Sequence, residues 1–196
     1  MLSADFNAVR IARAYESGGA AALSVLTDQS FFQGSLADLE CARRAVSLPV
    51  LRKDFTLEEY HVLEAAASGA DAILLIAAIL DERQIRDLRE SAGRWGMAAL
   101  VEAHDQRELD RAVGAGAEII GVNNRNLTNF QVTLETSLRL AERMPAGIVR
   151  VSESGIHSAE DVARLRAAGY QAFLIGEHLM QTADPAAALR ALAGPV

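Results

Sequence analysis

The sequence predicts an α/β protein built from repeated βα units. The expected architecture is a (β/α)8 TIM barrel without its first strand, with seven strands and eight helices. Three observations carry that prediction. Short apolar runs alternate with amphipathic stretches rich in Ala, Leu, Glu and Arg along all 196 residues. The apolar runs mostly lack polar alternation, as parallel strands covered on both faces do. A small-residue phrase recurs just before a strand, as Gly18-Gly19-Ala20, Ser68-Gly69-Ala70, Gly114-Ala115-Gly116-Ala117 and Ala167-Ala168-Gly169-Tyr170. That recurrence, at roughly 25 residues per unit, marks one supersecondary unit repeated. A doubly wound sheet would satisfy the same alternation. It loses ground because neither a Walker-type phosphate loop nor a dinucleotide fingerprint follows the first strand.

In chain order, Asp5 to Ser17 reads as a helix with Asp5 as its N-cap. Strands are expected at Ala21–Leu26, Pro49–Lys53, Ala72–Ile76, Ala98–Glu102, Ile119–Asn123, Ile148–Glu153 and Ala172–Ile175. Between them lie helical stretches such as Glu82–Trp95, Gln106–Ala115, Leu134–Arg143 and Ala159–Ala168, and Pro185–Leu192 forms a short last helix. Gly69, Gly116 and Gly169 supply the left-handed helix stops. A complete barrel of this kind needs about 250 residues and eight strands. The expectation is one barrel domain, 1–196, lacking its first strand.

Composition narrows the function. A net charge of −7 argues against nucleic acid as a partner, while leaving room for a small anionic substrate in a locally positive pocket. The single Cys41 rules out an internal disulfide and a cysteine zinc cluster, and is expected as a buried packing residue. No signal peptide and no membrane-length apolar run is visible, so a cytoplasmic protein without a membrane partner is expected.

The chain has eighteen arginines and one lysine. A guanidinium stays protonated at working pH, whereas an amine can be tuned to give and take a proton. Lys53, at the end of an apolar strand, is therefore the first candidate for chemistry. In a (β/α) barrel the active site lies at the C-terminal ends of the strands. Polar residues cluster there in five units, at Arg52-Lys53-Asp54, Glu102-Ala103-His104-Asp105, Asn123-Asn124-Arg125-Asn126, Ser152-Glu153-Ser154 and Glu177. Strand alternation turns Lys53 inward with Leu51, Glu102 with Leu100, Asn123 with Gly121 and Glu153 with Val151. An inward lysine and glutamate can form a proton-transfer pair; the alternative is a structural ion pair closing the barrel top. Ser154-Gly155 and Gly176, followed by a short helix Glu177–Met180, mark the usual phosphate site of this fold, although Glu177 there would repel an anion it faced. The four histidines lack metal-ligand spacing and read as structural or solvated, with no metal site.

These motifs resemble those of the indole-3-glycerol phosphate synthase family of tryptophan biosynthesis. The resemblance runs through Ala22–Asp28, Phe32-Gln33-Gly34-Ser35, Leu51–Phe55, Val101–Asp105, Asn123–Leu127, Ser152–Ile156 and Phe173–Glu177. It implies a decarboxylating carbon–carbon lyase acting on 1-(2-carboxyphenylamino)-1-deoxyribulose 5-phosphate. Ring attack on the ketone, loss of carbon dioxide and dehydration give indole-3-glycerol phosphate. By resemblance Lys53 is the general acid on the ketone oxygen, and Glu102 is the acid/base partner in dehydration. Asn123 and Glu153 orient the substrate's hydroxyl and amino groups. Arg125, Ser154, Gly155, Gly176 and Glu177 occupy substrate- and phosphate-binding positions, with Glu177 standing where many relatives have Ser. Phe32, Phe55 and Leu174 wall the aromatic ring. The resemblance implies neither metal nor organic cofactor, and a monomer when complete. The family's first strand carries a Glu, a Lys and a Ser-Pro-Ser run, and Met1–Val9 resembles the segment just after it. The chain as given is therefore expected to have two unpaired sheet edges and to be inactive. Two other readings stay open. One is a non-catalytic phosphate-binding barrel derived from the same family. The other is an enzyme like phosphoribosylanthranilate isomerase, which uses a Cys and an Asp at opposing strand ends, whereas Cys41 falls in a helix.

Overall fold

Each apolar run becomes one strand in the computed structural model, which describes residues 6–126 and 130–194. The strands are β1 (Leu23–Leu26), β2 (Val50–Lys53), β3 (Ala72–Ile76), β4 (Ala98–Ala103), β5 (Ile119–Asn123), β6 (Val149–Glu153) and β7 (Ala172–Leu174). They form one seven-stranded sheet in chain order, and every neighbouring pair is parallel. The helices are α1 (Ala8–Ser17), α2 (Gln29–Phe32), α3 (Leu36–Ala45), α4 (Glu59–Ala67), α5 (Glu82–Arg94), α6 (Gln106–Gly114), α7 (Glu135–Ala141), α8 (Ala159–Ala167), α9 (Glu177–Met180) and α10 (Pro185–Ala193). Among the described residues, eight are longer helices, as expected; α2 and α9 are single turns of four residues. Asp5, expected to cap α1, lies outside the described residues, as does Leu127; Asn7 is the cap, accepting the Arg10 N–H at 2.9 Å.

Local chemistry sets the helix ends. Asp81 and Gln84 form a reciprocal capping box at the start of α5, and Ser158 and Asp161 do the same for α8. Asp105 caps α6 through the Glu108 N–H at 2.9 Å. Gly69, Gly116 and Gly169 follow α4, α6 and α8 with φ of 83°, 75° and 94°, the left-handed stops expected from the sequence.

The sheet is curled. Strands β2 and β6 are four positions apart in it, which in a flat sheet would separate their backbones by about 19 Å. Yet Lys53 on β2 lies 3.7 Å from Glu153 on β6. Curling divides the core in two. Leu51, Leu74, Ile76, Leu100 and Val151 meet inside the barrel. Val50, Ile73, Leu75, Val101, Ile120 and their neighbours pack outward against the helices. The two sets alternate along each strand, as the period of two requires. Tertiary contacts also anchor the outward face. Arg52, buried between β2 and α4, reaches Glu64 at 2.7 Å, Asp54 at 3.3 Å and the His61 carbonyl at 3.0 Å.

Among the described residues, strands β1 and β7 each pair on one side only. The helical layer bridges that interval. At the end of α1, a Cβ on Gly18 would sit 2.9 Å from the Ala186 Cα, so α10 packs directly on this glycine. Leu26, on the inner face of β1, is 41% exposed beside the open edge. Cys41, expected to be buried, is half-buried on α3, because its helix face reaches the rim of the core.

Candidate active site

The inward parity read from the sequence matches the geometry at the C-terminal ends of β2, β4, β5 and β6. Lys53 Nζ donates to Glu102 Oε2 at 3.1 Å and lies 3.7 Å from Glu153 Oε2. Both carboxyl side chains are nearly inaccessible, at 3% and 1%, whereas the lysine side chain keeps 19% exposure. The amine is thus the member of the trio that meets the mouth. Neither oxygen of Glu153 has a hydrogen-bond partner among the described residues.

Two carboxylates sharing one ammonium cannot both be comfortable as anions. Burial and the neighbouring Glu102 charge push Glu153 up to about 8, and Lys53 only partly offsets them. Burial also works against ionised Glu102, but Lys53 and His104 outweigh it, holding that carboxyl below its usual value. Burial opposes the charge on Lys53, yet Glu153 and Glu102 together raise the amine above the ordinary lysine value. The free site therefore holds an ammonium, an ionised Glu102 and a largely neutral Glu153 near pH 7.

Gly121 makes this arrangement possible. A Cβ at that position would lie 2.0 Å from Glu153 Oε1 and 3.2 Å from Leu100, so any side chain would evict the buried carboxyl. Asn123, next inward on β5, accepts the Ser154 hydroxyl at 2.9 Å and the Arg125 N–H at 3.0 Å on its Oδ1. Ser154 is held at a φ of 67°, a costly conformation for a residue with a side chain. Behind it, buried Asn124 donates to the Ser152 hydroxyl at 3.0 Å and the Ser154 carbonyl at 3.1 Å, and accepts the Ser137 N–H at 3.0 Å. This outward network joins β5, β6 and α7 and fixes the turn that presents Ser154 and Gly155.

The remaining expected residues are more dispersed. Gly176 is the N-cap of α9, with open space around its Cα. Glu177 opens that helix and pairs with Arg125 at 2.6 Å. Leu174 packs on the inner cluster. Phe32 is 52% exposed on α2, and Phe55 stacks edge to face at 6.1 Å on Phe31, an aromatic the sequence reading did not select. It also set aside His104, whose Nε2 lies 3.4 Å from Glu102 Oε1. The signal available for His104 was its spacing of two from Glu102, which keeps the same strand face. Among the described residues no cluster of three or more His, Cys, Asp or Glu has metal-holding geometry.

A curled parallel barrel with an ammonium and two unequal carboxyls at its C-terminal mouth is a (β/α) barrel whose strand ends can support acid–base chemistry. The family profile described as indole-3-glycerol phosphate synthase matches residues 1–192. A protein of that name from Koribacter versatilis is 54% identical over 194 residues, covering 99% of this chain and 75% of its own length. The protein of that name from Aromatoleum aromaticum is also 54% identical, covering 97% of this chain and 72% of its own length. The chain belongs to the indole-3-glycerol phosphate synthase family. Among solved structures, thiamine phosphate pyrophosphorylase from Pyrococcus furiosus superposes with a TM-score of 0.74 at 19% identity, over 94% of this chain and 87% of its own. The N-acetylmannosamine-6-phosphate 2-epimerase from Clostridium perfringens gives 0.70 at 18%, over 87% and 78%. At such identities the likeness is one of fold.

Proposed function

We propose that the reaction this chain's site serves is the decarboxylating ring closure of 1-(2-carboxyphenylamino)-1-deoxyribulose 5-phosphate to indole-3-glycerol phosphate, with the Lys53–Glu102–Glu153 cluster as its proton-handling centre. The observation that carries the residue assignment is the single lysine, hydrogen-bonded to one buried carboxylate and in reach of a second. Family membership supports the reaction; the geometry supports the roles.

The ring carbon that bears the carboxylate attacks the ketone, and the oxygen gathers negative charge. Lys53 enters protonated, as a general acid must, and gives that oxygen its proton. Loss of carbon dioxide then restores the aromatic ring. Dehydration needs one proton delivered to the departing hydroxyl and one removed from the adjacent carbon. Glu102, 3.1 Å from the amine, relays both of these protons, which cancel, and Lys53, the member that meets the mouth, regains its ammonium proton from solvent. Glu153 and Asn123 orient the substrate. The Glu153 oxygens lack hydrogen-bond partners among the described residues, and a substrate N–H or O–H would satisfy them. Arg125, Ser154, Gly155, Gly176 and Glu177 line the phosphate side, while Phe32, Phe55 and Leu174 flank the ring. The partner is then a phosphorylated small molecule. No described helix is long and apolar enough to cross a membrane.

Mass spectrometry of the product tests the reaction. The expected product is the substrate less one carbon dioxide and one water. A product that keeps the carboxyl group, or substrate bound without change, would contradict the proposal.

A further inference from the structure

His104 belongs to none of the roles above, yet it is built into the site. It follows β4 at the turn into α6, and its side chain is only 14% exposed. One oxygen of Glu108, Oε2, accepts the His104 backbone N–H at 2.7 Å and lies 3.0 Å from the ring Nδ1. A carboxylate oxygen facing Nδ1 fixes the tautomer, because that nitrogen must carry the hydrogen. Nε2 is then directed inward, 3.4 Å from Glu102 Oε1, and it is buried without a hydrogen-bond partner. A bare nitrogen lone pair facing a carboxylate oxygen in a buried site is repulsive. One proton on either atom removes the conflict. The other charged or titratable groups facing this pair are Lys53 from β2 and Glu153 from β6, besides Glu108 from α6.

We propose that His104 is a positioning residue for Glu102, that Nε2 and Glu102 Oε1 hold one proton between them, and that Glu102 is reset through His104 during dehydration. With the shared proton resting on Nε2, that Nε2–H passes through Glu102 to the departing hydroxyl and leaves Nε2 bare. When Glu102 takes the proton from carbon, it passes that proton back to Nε2. The two transfers cancel, so no external acid, base or oxidant is consumed. Glu108 keeps the ring in place and stabilises the imidazolium when it forms.

This inference rests on the proposed reaction, and its test separates the two. An NMR titration of the His104 ring in the full-length gene product requires no turnover. The midpoint is expected above the free histidine value of about 6.5, because Glu108 and Glu102 outweigh the burial that opposes the charge. It should fall in Glu102→Gln and in Glu108→Gln. A midpoint unmoved by Glu102→Gln overturns the pairing. Kinetics supply the second arm. His104→Asn keeps a donor toward Glu108 but has no Nε2. Its kcat should drop about ten- to a hundred-fold with KM nearly unchanged, and the ionisation seen in the kcat–pH profile should shift. Wild-type kcat at every pH in that variant overturns the relay. If wild type converts no substrate while the His104 midpoint still responds to Glu102→Gln, the proposed reaction fails and the proton-sharing pair stands.

Discussion

Replacing Glu153 with Gln should make the protein more stable in alkali than wild type, and the difference should vanish in acid. The folded carboxyl sits at about 8 against an ordinary 4.5, at about 1.4 kcal/mol per unit. The full shift thus corresponds to roughly 5 kcal/mol as an upper limit, since buried sites relax. The raised value means that the folded state holds a proton which the unfolded chain has released. The contribution is fully present below 4.5 and is lost progressively as pH rises to about 8. Glutamine has no such term. Other members of the site leave the comparison intact. Depressed Glu102 loses its contribution only as pH falls through its lowered value. Lys53, raised above 10.5, loses its contribution only at still higher pH. His104, raised above 6.5, loses its contribution as pH rises through its own value, and both proteins share that loss. Urea unfolding at about pH 5 and about pH 9 measures the difference. Wild type should lose several kcal/mol relative to Glu153→Gln between the two. Parallel stability curves would refute the buried, protonated Glu153.

Two further outcomes follow from the same geometry. Glu102→Gln should lower kcat about 10²–10⁴-fold with little change in KM, because the amide keeps size and hydrogen bonding but cannot carry a proton; steady-state kinetics decide, and a change confined to KM would make Glu102 a binding residue. Glu177→Ser should release Arg125 from its 2.6 Å ion pair and remove a negative charge from the phosphate side, lowering KM several-fold with kcat little changed; a higher KM would mean that the pair itself organises the site.

The strands were legible because each is a short apolar run, most of them preceded by a glycine stop and followed by polar residues. Ala72–Ile76 and Ile119–Asn123 have the expected boundaries, β2, β4, β6 and β7 differ from theirs by one residue, and β1 starts two residues later than expected. Period-two alternation placed Lys53, Glu102, Asn123 and Glu153 on one face, which needed no knowledge of the sheet's curvature. What alternation could not reveal is distance across the barrel. The unequal fates of Glu102 and Glu153 depend on a 3.1 Å bond and a 3.7 Å separation from one amine. The need for Gly121 likewise arises from a carboxyl on the neighbouring strand. His104 was missed because its partners are a strand residue two positions back and a helix residue four positions on, a pattern shared with ordinary helix-start polar residues. Phe32 was named by resemblance alone, and the Phe31 contact with Phe55 depends on how a one-turn helix sits against β2, which its sequence does not show.

The central claim is that Lys53 works as a proton donor and not merely as a positive charge. Lys53→Arg in the full-length gene product keeps the charge and surrenders the proton far less readily. Turnover of 1-(2-carboxyphenylamino)-1-deoxyribulose 5-phosphate, followed by appearance of the indole chromophore, should fall about 10²–10⁴-fold in kcat, with the variant's unfolding transition close to that of wild type. An arginine variant that keeps most of the wild-type kcat would contradict the account.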